Sequence, residues 1–94
     1  MSEKPQLQVE TRELLERIQS YGGDPSDFTK IMAAALILAS LSGRRDSFVR
    51  WMTNRCEVPT AIVDRWGTGE NVPTGRVRSH ILTKVSDYFS STSS

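Results

Sequence analysis

Apolar side chains recur at three- and four-residue steps along most of this chain, and no stretch of useful length alternates as a strand does. From Thr11 to Tyr21, Leu14, Leu15, Ile18 and Tyr21 form one stripe, with Glu13, Glu16 and Arg17 opposite. Gly22-Gly23 stops that helix, because glycine tolerates the left-handed conformation at a helix end. Asp24-Pro25 starts the next, with the aspartate as an N-cap acceptor and the proline at the first helical position. The second helix runs to Leu41. Phe28, Ile31, Met32, Ala34, Ala35, Leu38 and Leu41 leave it almost no polar face after Lys30, which predicts a central place with other helices crossing closely at the alanines. Ser42-Gly43 ends it.

Between Arg44 and Pro73 two short helical patterns lie either side of Glu57-Val58-Pro59. Phe48, Trp51, Met52 and Cys56 share a face of the first; Ile62, Val63 and Trp66 share a face of the second, which ends at Gly67-Thr68-Gly69. So short a connection does not let the two helices lie side by side as a hairpin. They cross steeply, as in a helix-turn-helix. A last helix over Thr74 to Phe89 buries Val77, Ile81, Val85, Tyr88 and Phe89. The expectation is an all-α fold, a compact bundle of about five helices containing a helix-turn-helix. It has a flexible N-terminal arm over 1–9, a helical domain over 10–89 and a disordered tail over 90–94.

Composition adds little except through the placement of charge. Residues 1–42 carry four Lys/Arg against six Asp/Glu, and residues 43–94 carry eight against five, so the positive excess surrounds the proposed motif. In that half arginine outnumbers lysine, and its planar fork suits phosphate. The one cysteine, Cys56, excludes an internal disulfide and reads as a packing residue in a reducing compartment. MSEKPQLQVE lacks the apolar core of a signal peptide, and the apolar run from Ile31 to Leu41 is too short to span a bilayer; the expected location is cytoplasmic.

The segment VPTAIVDRWGTGENVP, residues 58–73, resembles the recognition-helix region of the Cro/C1 (lambda-repressor-like) family. The residues that carry the likeness are Val58-Pro59, Ile62-Val63, Trp66, Gly69 and Pro73, and the preceding SGRRDSFVRWM looks like the first motif helix of small bacterial regulators of this type. The likeness covers roughly residues 28–89. Where most family members have a small residue in the first helix and a glycine at the turn, this chain has Thr53 and Glu57. Either Glu57 adopts a left-handed turn at a cost on the order of 1 kcal/mol, or Thr53 to Cys56 form an extra turn that lengthens the first helix.

The resemblance implies that the second motif helix enters the major groove of double-stranded DNA, which nominates Thr60, Ala61, Asp64 and Arg65 for base contact. Arg65 suits guanine, Ala61 and Thr60 a thymine methyl, and Asp64 a cytosine amine, although phosphates repel a carboxylate. Arg44, Arg45, Arg50, Arg55, Asn71, Arg76 and Arg78 are nominated for the phosphates. The function implied is a sequence-specific transcriptional regulator of bacterial or phage type, a repressor binding as a homodimer, with the first helix or Tyr88 and Phe89 at the dimer contact. The rival expectation is a protein-interaction module on the same scaffold, such as an antiactivator that sequesters a transcription factor; Asp64 and Glu57 argue for it. Trp51 and Trp66 read as core or near-core residues rather than stacking platforms. His80 has no partner at a ligand spacing, no catalytic set stands out, and neither cofactor, metal nor enzyme activity is expected.

Overall fold

The computed structural model describes residues 5–92, with side chains from 8 to 90. Five helices follow in order: α1 (Pro5–Gln19), α2 (Pro25–Leu41), α3 (Arg45–Cys56), α4 (Thr60–Thr68) and α5 (Gly75–Thr92). There is no strand among the described residues, and the fold is the all-α bundle expected. No helix among them is long and apolar enough to cross a membrane.

The local signals act as elementary chemistry requires. Asp24 caps α2 by accepting from the Ser26 N–H at 2.8 Å, with Pro25 next to it at the first helical position. At the other end Gly43 takes φ +73°, and the Arg44 N–H reaches back to the Ala39 carbonyl at 2.7 Å. The boundaries of α1 and α5 differ from expectation. Helix α1 begins at Pro5, so residues 5–9 of the expected arm are helical. A proline is at home in the first turn. The missing periodicity there has a simple cause: from 8 to 13 no side chain is buried, and Leu14 is the first to reach the core. Helix α5 continues three residues past Phe89, to Thr92; residues 1–4 and 93–94 of the expected arm and tail lie outside the described residues.

Helix α2 packs against each of the other four, the central place its composition predicts. Phe28, Ile31, Met32, Ala35, Leu38 and Ala39 supply its share of the core, which Leu14 of α1, Phe48, Val49 and Met52 of α3, Val63 and Trp66 of α4, and Ile81, Leu82, Val85, Tyr88 and Phe89 of α5 complete. Each large side chain so buried contributes about 1.5–3 kcal/mol relative to leaving it in water. Phe28 meets Trp66 edge-on, with ring centroids 6.4 Å apart and planes at 72°. Phe48, Tyr88 and Phe89 form a second aromatic cluster, with centroids 5.2–5.3 Å apart.

Of the expected core positions, Leu41 and Val77 are exposed, and Cys56, like Leu15, Ile18, Tyr21, Ala34, Trp51 and Ile62, is only partly buried against the core. Tyr88 and Phe89 are buried in the core, as the period of the last helix predicts, which leaves them little surface for the dimer contact they were also nominated for.

Candidate nucleic-acid interface

The connection between α3 and α4 is three residues long, Glu57-Val58-Pro59. Glu57 has φ 56° and ψ 50°, the only positive φ at a non-glycine residue among the described residues. Glu57 is thus left-handed, and Thr53 to Cys56 are helical as the last turn of α3, so both sequence readings describe part of the connection. The Val58 N–H then returns to the Thr53 carbonyl at 3.3 Å, and Pro59, extended, leads directly into Thr60. At its far end α4 stops on Gly69, φ 86°, whose N–H bonds the Arg65 carbonyl at 3.0 Å.

Helix α4 is held from one side only. It packs on α2 and α3, and on neither α1 nor α5. Val63 and Trp66 are buried and Ile62 half-buried, as their spacing predicts. The seat is made close by small residues. A Cβ built on Gly67 would lie 2.8 Å from Leu36 Cδ1 and 3.6 Å from the Ala33 Cα, so α2 and α4 touch backbone to backbone at Ala33 and Gly67. This is the close crossing that the α2 alanines foreshadow. The Trp66 indole Nε1 is buried there without a hydrogen-bond partner.

The opposite side of α4 faces solvent. Thr60, Ala61 and Arg65 are exposed, together with Thr68 one turn further on, which sequence reasoning passed over although its three-residue step from Arg65 puts it on that face. Asp64 differs. It is half-buried, and its Oδ1 accepts from Nη2 of Arg45 at the start of α3. Arg65 lies 3.8 Å from Glu70 in a long, exposed ion pair.

The seven residues nominated for phosphates divide. Arg45, Arg50 and Thr60 line one notch of about 220 Å³ beside the turn, with Asp46, Val49 and Thr53. Exposed Arg44 directly precedes α3. These form a positive shoulder next to the exposed face of α4, although Arg45 is already shared with Asp64. Thr53 Oγ1 is buried near the notch with no partner. Arg55 lies elsewhere, its guanidinium 5.1 Å from the centre of the Trp51 ring, which itself rests on Tyr88. Trp51 is thus a half-buried rim residue, and Trp66 a core one. Arg76 is exposed in the first turn of α5, and Asn71 is half-buried in the loop before it.

Arg78 is a correction. Its Nε donates to the Tyr21 hydroxyl at 2.9 Å, Nη1 to the Pro73 carbonyl at 2.7 Å and Nη2 to the Gly23 carbonyl at 2.9 Å. A guanidinium so engaged ties the α1–α2 turn to the start of α5, and it is not free to meet a phosphate. The sequence shows an arginine on the polar side of α5. It does not show that two carbonyls and a phenol from distant segments converge there.

Burial pushes the Cys56 thiol up, against a smaller lowering by the Lys84 charge, and so disfavours the reactive thiolate. Among the described residues no cluster of three or more His, Cys, Asp or Glu is placed to hold a metal ion. Compared with protein-family models, curated proteins and solved structures, the chain matches none.

Proposed function

We propose that the protein is a small DNA-binding regulator that lays α4 in the major groove and represses by occupying its site. One observation carries this reading. A short helix, anchored by Val63 and Trp66 on one side, presents Thr60, Ala61, Arg65 and Thr68 to solvent on the other, beside a shoulder of Arg44, Arg45 and Arg50. The likeness of residues 58–73 to the Cro/C1 family supports it. One such domain covers a half-site, so two copies would bind a two-fold operator.

The second reading, a protein-interaction module on this scaffold, draws on the ion pairs. Asp64 and Glu70 neutralise Arg45 and Arg65, two of the arginines a DNA reader needs.

Selection from a random duplex library, followed by salt titration on the selected sequence, separates the two. A DNA reader enriches one two-fold motif and loses affinity by nearly one power of salt for each phosphate contact. No enrichment, together with no saturable duplex binding at low salt, rejects the regulator and leaves the exposed face of α4 to a protein partner.

A further inference from the structure

Helix α1 is the most lightly seated of the five. Among residues 8–20 only Leu14 is buried, with Leu15 and Ile18 half-buried beside it, whereas α4, at nine residues, buries both Val63 and Trp66. Its seat on α2 is also open along one side. A groove of about 290 Å³ runs beside Leu14, walled by Glu10, Glu13 and Arg17 of α1 and by Ala34 and Leu38 of α2. Side chains that border such a gap forfeit part of their dispersion contacts. Helix α1 rests on α2 and α5 and touches neither α3 nor α4. It joins the rest through Gly22-Gly23. Gly23 has φ 104°, and a Cβ on either glycine would meet nothing within 4 Å, so this link is neither packed nor stiffened by a side chain.

We propose that α1 is a strap that opens as one unit about Gly22-Gly23 while the other four helices stay folded, and that Arg78 is its latch. Arg78 spans the hinge. Its Nη1 and Nη2 donate to the Pro73 and Gly23 carbonyls, at 2.7 and 2.9 Å, on the side that stays. Its Nε donates at 2.9 Å to the Tyr21 hydroxyl, on the side that moves. Breaking that one bond releases Tyr21 and leaves the guanidinium held by two carbonyls, so the returning strap meets its latch in place. Every buried core residue other than Leu14 belongs to α2, α3, α4 or α5, which is why those helices hold without the strap. Segments that open at less than the cost of global unfolding are those with few buried apolar contacts, and α1 is such a segment. Opening uncovers the flank of α2 at Ala34 and Leu38. It leaves the α3–α4 motif seated, so the device goes beyond the DNA reading and does not depend on it.

Native-state hydrogen exchange of the full chain, followed by NMR across a series of low urea concentrations, tests this without DNA. The amides of α1 from Leu14 to Gln19 should share one opening constant, at least about a hundredfold above that of the slowest α2 amides. Its dependence on urea should be much the weaker, because opening the strap exposes a small part of the surface that global unfolding exposes. Tyr21→Phe removes the latch bond and should raise the α1 opening constant about three- to tenfold. A single opening constant and a shared urea dependence for α1 and the α2 core overturn the proposal. So does protection that falls off residue by residue from Gln19 toward Pro5, which is end fraying rather than the opening of a unit. A Tyr21→Phe chain whose α1 amides exchange as in the parent overturns the latch.

Discussion

Arg45 at the start of α3 donates to the carboxylate of Asp64 in the middle of α4, so the two helices of the motif are joined by an ion pair at the edge of the exposed face. Both side chains are nearly half exposed, which limits the pair's contribution to stability to about 1 kcal/mol or less. On the DNA-binding proposal, Asp64→Asn removes a carboxylate and frees Arg45, so duplex affinity should rise and the salt dependence should steepen by about one phosphate contact. Fluorescence anisotropy across a salt series measures both. A weaker complex with an unchanged slope would instead place Asp64 on a base.

Arg65 is the exposed arginine on the outer face of α4, with only a 3.8 Å contact to Glu70. Arg65→Ala should relax preference at one base pair by about 1–3 kcal/mol while leaving the rest of the selected motif intact. Repeating the library selection with the variant reads this directly. An unaltered motif would take Arg65 out of the reading role.

Arg78 should behave in the opposite way. Its three hydrogen bonds join Tyr21, Gly23 and Pro73, and Arg78→Ala leaves two carbonyls and a phenol without their charged donor. The expected loss in urea unfolding is about 1.5–3 kcal/mol. The salt slope of duplex binding should not change. Tyr21→Phe removes one of the three bonds and should cost about 0.5–1.5 kcal/mol.

Glu57 pays a backbone penalty at φ 56° that glycine does not. Against this stands the extra unfolded-state freedom of glycine, worth about 0.4–1 kcal/mol. The left-handed term is the larger, and Glu57→Gly should stabilise the protein by roughly 0.5–1 kcal/mol. Chemical denaturation would show a higher midpoint with the same slope; a lower midpoint would mean the glutamate side chain holds the turn by a contact of its own.

Gly67 sits where α4 touches α2. Any branched side chain there meets Leu36 and then the Ala33 backbone, so Gly67→Val should destabilise by about 1–3 kcal/mol. Gly67→Ala meets only the mobile end of Leu36, and should be far milder. Equal losses for the two would show that Leu36 does not give way.

Much of this could be read along the chain because its signals are local. The Asp24-Pro25 cap, the glycine stops at Gly43 and Gly69, and the periodicity of α2 and α4 depend on neighbours within a turn or two. They place the helices and the buried face of α4 without knowledge of the rest. Local pattern was less reliable at helix ends. Leu41 and Val77 keep the period of their helices but are exposed, and residues 5–9 are helical although Gln8 and Val9 are exposed.

What the residue order alone settled, then, is an all-helical chain with α3 and α4 joined by a tight turn and with Thr60, Ala61 and Arg65 on the side away from Val63 and Trp66. The folded arrangement alone assigned the arginines: Arg78 to a clamp, Arg45 to Asp64, Arg55 to Trp51 and Arg50 to the notch beside Thr60. It also left Leu41 and Val77 exposed, although their helical period reads as core. The physical reason is range. Helical period and capping act over a few residues, whereas the partner of a charged or apolar group is chosen by whatever distant segment the fold brings within a few ångströms of it.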